Sequence, residues 1–306
     1  MDLRQMEYVA AIADELNFTR AAARCRIGQS GLSHQIAELE REVGTRLFER
    51  TSRSVRVTPA GQAFVVCARR VLRAVQEMTA EIALLDGTVQ GRLRIGSIAL
   101  TAGNIDVLGL FREFQETYPG VEVIVSDAGS VTAAAQLLTG ELEVAILGLH
   151  QHQLPAGISH HLLRLPPLVV VVGRQHRLRG AGVIGVRTLT EERFLDCIVD
   201  TGLRVQVDAA FDRAKARRRD VCALRSAGDL ASLAFEGIGV AIVPRPVAEA
   251  IVPPEHADCV LRLSDPQALQ PLALTYRDPA PTSPAAQAFL RLALTSLTPD
   301  IAAPDQ

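Results

Sequence analysis

Residues 18–44 read FTRAAARCRIGQSGLSHQIAELEREVG, and their pattern decides the fold of the amino-terminal part of the chain. Phe18 and Thr19 precede Arg20-Ala21-Ala22-Ala23, which makes Thr19 a suitable helix N-cap with Phe18 in the staple position before it. The short helix that follows ends near Cys25, and a turn runs through Ile27-Gly28. From Gln29 to Val43, the apolar residues Leu32, Ile36, Leu39 and Val43 fall three or four apart and so share one helix face. Gly44 stands where a left-handed C-cap is expected. Upstream, Leu3, Met6, Val9, Ala10 and Ala13 mark a first amphipathic helix. Three helices with a tight turn between the second and third predict a helix-turn-helix.

Downstream, Leu47–Thr58 interleaves β-branched residues with Arg50, Arg53 and Arg56, and reads as a two-stranded wing. Thr58-Pro59-Ala60-Gly61 restarts a helix, with Thr58 as N-cap and proline at the first helical position. That helix runs to Asp86 and stops at Gly87. Phe64, Ala68, Val71, Val75, Met78, Ile82 and Leu85 alternate at spacings of four and three, a heptad seam. A sustained heptad is what two supercoiled helices need, so the seam predicts dimerisation. From Gly91 the pattern changes to alternating strands and helices: strands at Leu93–Ser97, Val121–Val125, Val144–Leu147, Leu168–Val172 and Gly239–Val243, and helices at Leu108–Tyr118, Val131–Leu138, Thr201–Ala214 and Asp229–Glu236. Repeated βα units predict open, mostly parallel sheets. The length of this region fits two such subdomains.

The 306 residues are 48% hydrophobic and 22% charged, a globular profile with a net charge of −2, so bulk charge does not announce a nucleic-acid binder. The local balance differs. Residues 20–73 hold eleven arginines against four glutamates, coincident with the helix-turn-helix and the wing. The five cysteines include no C-x-x-C pair, which argues for a reducing compartment. The start of the chain lacks a signal-peptide pattern, and no apolar run approaches the length of a membrane span; a cytoplasmic protein without membrane association is expected.

A helix that enters the major groove needs small or hydrogen-bonding residues near its N-terminus, and Gln29, Ser30, Gly31, Ser33, His34 and Gln35 supply them. Glutamine can bond adenine edges and serine can bond bases or phosphates. The expected DNA contacts are these residues other than Gly31, together with Thr19, Arg20, Arg50, Arg53 and Arg56.

The run Phe18-Thr19-Arg20-Ala21-Ala22, then Gln29-Ser30-x-Leu32-Ser33-x-Gln35-Ile36-x-x-Leu39-Glu40, then Gly44-x-x-Leu47-Phe48-x-Arg50, then Thr58-Pro59-Ala60-Gly61 resembles the signature of LysR-type transcriptional regulators. The likeness continues through Leu93-Arg94-Ile95-Gly96, Tyr118-Pro119, Gly140-Glu141-Leu142 and Gly237-Ile238-Gly239-Val240-Ala241-Ile242-Val243-Pro244. The resemblance implies a winged helix-turn-helix, a dimerising linker helix, and an α/β effector domain of two subdomains, similar to periplasmic binding proteins, with the chain crossing twice between them. The expected divisions are 1–58, 59–87, 91–162 with 266–298, and 163–265. His34 stands where the family usually has arginine, Gly28 replaces the usual Ser or Thr cap, and Glu143 replaces the usual Asp. The implied partners are double-stranded promoter DNA, a small-molecule effector, and a second copy of the chain in a dimer or tetramer; RNA polymerase is a further one.

In open α/β sheets, ligands bind at the carboxyl ends of strands and at helix N-termini. Here those junctions hold Ser97, Thr101, Ser130, Thr201, Gly202 and Arg204, the expected effector contacts, and their chemistry points to a small organic anion. His150, His152, His160 and His161 cluster in an expected loop but lack metal-ligand spacing, and neither a metal nor a cofactor is expected. Cys197 and Cys222 invite comparison with the family's peroxide sensors, yet read as core cysteines. No nucleophile elbow, phosphate loop or metal motif is present, so catalysis is not expected.

Overall fold

The computed structural model describes residues 1–50, 54–97 and 106–297. The chain divides into two compact units, residues 1–86 with 282–284, and residues 87–281 with 285 onward.

In the first unit, α1 (Leu3–Glu15) starts at a reciprocal cap between Asp2 and Gln5. α2 (Phe18–Arg24) is capped by Asn17, whose Oδ1 accepts the Arg20 N–H at 3.0 Å. The cap is thus two residues earlier than Thr19, and Phe18 is the first helical residue. α3 (Gln29–Val43) has the predicted bounds, with Gly44 left-handed at φ 76°. Leu32, Ile36 and Leu39 are fully buried against Val9, Ile12, Phe18 and Ala21. Val43, at the open end of the helix, faces solvent instead. The wing is an antiparallel pair, β1 (Phe48–Arg50) and β2 (Val55–Val57). The Glu40 carboxylate of α3 starts it by accepting the N–H groups of Leu47 and Phe48 at 2.7 and 3.1 Å. α4 (Pro59–Leu85) opens on Thr58, whose hydroxyl accepts the Gly61 N–H at 2.9 Å. Gly61 admits no side chain, because a Cβ there would stand 2.0 Å from the Leu47 carbonyl oxygen.

The second unit holds two sheets. The first has the order β4-β3-β5-β13-β6. It comprises β3 (Gly91–Ser97), β4 (Val121–Ser126), β5 (Val144–Leu147), β6 (Ile158–Arg164) and β13 (Leu272–Arg277). The second has the order β10-β9-β11-β7-β12-β8. Its members are β7 (Leu168–Val171), β8 (Val183–Ile184), β9 (Arg193–Cys197), β10 (Arg219–Leu224), β11 (Val240–Pro244) and β12 (Val260–Leu263). Helices α5 (Val107–Thr117), α6 (Ser130–Thr139), α7 (Gly202–Arg213), α8 (Ala227–Phe235), α9 (Arg245–Ile251) and α10 (Pro284–Ser296) complete the unit. β7 and β11 are buried along their whole length, as strands covered on both faces must be.

The sheets are mixed rather than wholly parallel. β13 runs antiparallel to both of its neighbours, and so does β7. These are the strands by which the chain arrives in each sheet after crossing over. The two crossings lie side by side: Pro167 bridges Leu269, and the Gln270 N–H donates to the Pro166 carbonyl at 2.9 Å.

Candidate functional site

Two regions carry the residues singled out from sequence. On the first unit, Thr19, Gln29, Ser30 and His34 are exposed together at the open start of α3, with Ser33 and Gln35 half-buried. The Thr19 hydroxyl donates to Gln29 Oε1 at 3.2 Å and so orients its amide. Gln35 is held at the α1–α3 seam, taking a hydrogen bond from Gln5 at 3.3 Å and giving one to Glu38 at 3.2 Å. Arg20 folds back onto the Glu15 carboxylate at 3.0 Å, and Arg24 and Arg69 both pair with Asp14. Part of the basic excess is therefore answered within the unit. The Arg50 guanidinium lies over the Phe18 ring, 3.9 Å from its centroid, and Phe18 meets Phe48 edge-on, so the wing arginine is braced by the core. Arg56 stands opposite Glu49 in the wing register, and Arg53 lies outside the described residues.

Along α4 the seam divides. Ala68 is buried and Phe64 packs on the helix-turn-helix core. Beyond them Val71, Met78, Ile82 and Leu85 are exposed, Met78 at 57% and Leu85 at 84%, with Val75 half-buried. Among the described residues this part of the seam is largely open.

The second region is a cleft of about 500 Å³ between the two sheets of the second unit. Its floor and walls are mostly apolar, with Leu203, Leu224, Val247, Ile251 and Leu272 among them, and its polar rim includes Asp127, Arg225 and Asp229. Thr201 and Gly202 line it, where α7 begins. The Thr201 hydroxyl accepts the Arg204 N–H and donates to the Ile198 carbonyl, so it is a helix cap first. Gly202 is required by close approach: a Cβ there would lie 2.4 Å from the Gly148 carbonyl oxygen.

The other expected contacts are placed differently. Ser130 is fully buried, and its hydroxyl accepts the Gly148 N–H at 3.1 Å. Arg204 turns away to Asp196 and Asp208, each at 3.0 Å. Only the backbone of Ser97 is described, and Thr101 lies outside the described residues.

Sequence reading missed Asp200. Its carboxylate accepts the Gly129 N–H at 3.0 Å, the Thr132 N–H at 2.9 Å and the Thr132 hydroxyl at 2.8 Å. The N-terminus of α6 is thereby capped by an acid from the other sheet's side of the cleft. No local signal announces this, because the partners are about seventy residues apart in the chain. Gly148 is a second hub: its carbonyl accepts from the side-chain amides of Gln206 and Gln270, each at 3.2 Å.

Asp196 and Arg218 form a buried ion pair at 2.5 Å behind the cleft, and Arg218 also bonds Asp208. Burial pushes the Asp196 carboxyl up against the pull of Arg218 and Arg204. Cys197, at the end of β9, has its thiol pushed up to about 12, chiefly by burial. Register pairs Cys222 with Leu195 and Cys197 with Leu224. The two cysteines are thus offset by two residues on neighbouring strands, about 8 Å between Cα atoms at ordinary strand spacing. A disulfide needs under about 7 Å. The histidines are not in one loop. His160 and His161 belong to β6, where all positions but the buried Leu163 are half-buried, and they bond the Leu149 carbonyl and the Tyr276 hydroxyl. Among the described residues no three His, Cys, Asp or Glu converge as a metal site. No helix among them is long and apolar enough to cross a membrane.

Residues 3–62 match the lysR family of bacterial regulatory helix-turn-helix proteins, and residues 86–298 match the LysR substrate binding domain. Over 249 residues the chain is 32% identical to YnfL, an uncharacterized HTH-type transcriptional regulator of Escherichia coli, covering 80% of this chain and 82% of that protein. Over 292 residues it is 29% identical to the E. coli dual regulator OxyR, covering 92% and 91%. Among solved structures, a cysteine mutant of OxyR from Corynebacterium glutamicum superposes with a TM-score of 0.54 at 24% identity, covering 96% of this chain and 93% of that one.

Proposed function

The chain belongs to the LysR family of transcriptional regulators, and from that membership we propose that it reads a promoter as a dimer or tetramer under the control of a small molecule held in the cleft. Regulation by a DNA-binding protein, not catalysis, is the business of that family. The observation that carries the reading is the two-sidedness of α3. Leu32, Ile36 and Leu39 are fully buried on one side, while Gln29, Ser30 and His34 stand exposed at its N-terminal end. A recognition helix needs this arrangement.

In this reading Gln29, Ser30, Ser33, His34 and Gln35 face the major groove. Thr19 and Arg20 flank it, and Arg50, Arg53 and Arg56 meet phosphates or the minor groove through the wing. The dimer forms along α4 through Val71, Val75, Met78, Ile82 and Leu85, with Phe64 and Ala68 anchoring the helix to its own head. The effector is a small organic anion. The N-terminus of α8 and the adjacent Arg225 open onto the cleft, with Thr201 and Gly202 beside them, and they support that charge although Asp127 stands 4.0 Å from Arg225 and Asp229 lies in the first turn of α8. The α6 N-terminus does not, since Asp200 occupies it. The divisions 1–58, 59–87, 91–162 with 266–298, and 163–265 are proposed as the functional parts. The cytoplasm is the proposed location, and RNA polymerase a further partner.

The test is binding to the DNA upstream of the chain's own gene against random duplex, over a range of salt. Gln29→Ala with Ser33→Ala removes the preference between the two duplexes and leaves the salt slope unchanged. Arg56→Ala weakens binding to both and flattens the slope by about one unit. Equal affinity for the two duplexes in the unaltered protein would overturn the reading.

A further inference from the structure

The cleft, at about 500 Å³, is of a size that encloses most of a small-molecule ligand. Its walls come from four elements and are aliphatic: Leu203 of α7, Leu224 of β10, Val247 and Ile251 of α9, and Leu272 of β13. Leu203 and Leu272 are buried, while Leu224, Val247 and Ile251 are half-buried and keep part of their surface open. Sites of this size usually set a few convergent polar groups among such walls. The polar side chains that line this cleft among the described residues are committed elsewhere or stand at its rim. The Thr201 hydroxyl serves the Ile198 carbonyl and the Arg204 N–H. Ser226 accepts the Asp229 N–H at 3.1 Å. The Gln270 amide donates to the Gly148 and Pro271 carbonyls, and its oxygen is sealed off. Cys197 is buried.

The charges at the rim largely cancel. Arg225 lies 4.0 Å from Asp127, with both side chains exposed, and Asp229 adds a second carboxylate nearby. Exposed charges of this kind contribute little to binding in water. Affinity therefore has to come from the walls. Covering aliphatic surface there gains about fourfold for each methylene removed from water. A second charged or strongly polar group carried inward would meet leucine and valine side chains without a partner, and that burial is unfavourable.

We propose that the effector is a monofunctional aliphatic compound, a chain or saturated ring with a single polar end, recognised by its hydrocarbon body. This rests on the reading of the cleft as the effector site. The body lies against Leu224, Val247 and Ile251, with Leu203 and Leu272 behind them, and the polar end stays in water at the rim. Metabolites that are polar at both ends, such as dicarboxylates, are rejected by the walls and not by any single side chain.

The experiment uses the full chain and three homologous series: straight-chain alkanoates from butanoate to decanoate, the matching 1-alkanols, and the dicarboxylates from succinate to sebacate. Affinity is read by displacement of N-phenyl-1-naphthylamine, an uncharged apolar fluorophore, and by calorimetry. The dissociation constant of the alkanoates falls about fourfold for each added methylene, and the alkanols follow the same slope. Each dicarboxylate binds about tenfold or more weakly than the alkanoate of its length. Val247→Phe fills part of the cleft, so decanoate loses about tenfold while butanoate stays within about twofold. Ile251→Gln keeps the length of the side chain, sets an amide on the wall and flattens the slope. A flat series, or dicarboxylates that match the alkanoates, would overturn the proposal; the cleft reading survives that result if Val247→Phe still weakens binding. A slope unchanged in both variants would place the hydrocarbon elsewhere on the chain and also overturn it. The offset between acids and alcohols is a separate readout: equal affinities would remove the anion and leave this inference standing. If no member of any series binds at millimolar concentration, the cleft reading falls and takes this inference with it.

Discussion

Replacing Asp200 by alanine removes the cap of a helix that belongs to the opposite sheet. Three donors lose their acceptor at once: the N–H groups of Gly129 and Thr132 and the Thr132 hydroxyl, all within 3.0 Å of the carboxylate. Loss of an N-cap side chain costs about 0.5–2 kcal/mol. The negative charge at a helix N-terminus adds roughly 0.3–1 kcal/mol. Asp200 is half-buried, so water can reach part of what it leaves and the upper sum is not reached. About 2 kcal/mol is the expected loss for the second unit. For a unit of this size each kcal/mol moves the midpoint by about 2–4 °C, which gives a fall of roughly 4–8 °C. Scanning calorimetry on the full chain measures it, with Asp200→Asn as companion. The carboxamide keeps the shape and loses the charge, and it should sit between alanine and the unaltered protein. A change below about 0.5 kcal/mol in both variants would show that solvent caps α6 as well as Asp200 does, and the argument for a strap across the cleft would fail.

Asp196→Asn takes one of two carboxylates from Arg218 and leaves Asp208 as its partner, so urea unfolding should show a loss of about 1–3 kcal/mol; a loss under about 0.5 kcal/mol would mean that the pair is solvated. Gly31→Ala should stabilise the first unit by about 0.5–1 kcal/mol, since no atom lies within 4 Å of the added Cβ. Gly61→Ala should unfold the same unit, and equal melting points for the two variants would contradict the packing around Leu47. Cys197, its thiol pushed up to about 12 by burial, should resist a maleimide at pH 8 in the native protein and react once unfolded, while exposed Cys67 reacts at once; mass-mapped labelling of Cys197 in the folded chain would refute its burial.

What could be read from the residues alone followed the range of the forces involved. α3 was legible to the residue and α4 to within one, ending at Leu85 instead of Asp86, because caps, glycine stops and heptad spacing act within a few positions of chain. Even there the cap of α2 belonged to Asn17, since its amide, like a threonine hydroxyl, can accept from the third residue onward, and spacing alone did not choose between them. β6 was missed because half-burial lets polar residues such as His160 and His161 occupy a strand, and β13 because its partners lie more than a hundred residues upstream. In the cleft, Thr201 and Gly202 were reachable from sequence as a helix start. Ser130 and Arg204 were reachable too, but as residues whose bonding turned inward. Gln270 carried no signal at all: a glutamine in a loop becomes informative only when Gly148, 122 positions away, holds one end of it.

The position of β13 also governs the order in which the chain can be completed. β6 pairs with β13 alone, and β5 waits on the same strand for its second neighbour. When a ribosome has made residues up to Leu263, the six-stranded sheet has every strand it needs, and the five-stranded sheet has a vacant slot between two open edges. Those edges, one of them the fully buried β5, stay available to any passing strand until residues 272–277 emerge and slide between them. The lobe whose strands come first in the chain is thus the last to close. A stop codon anywhere between Leu263 and Leu272 leaves one finished half attached to a sticky one, so chain ends in that interval mark where aggregation, not mere loss of function, is the outcome.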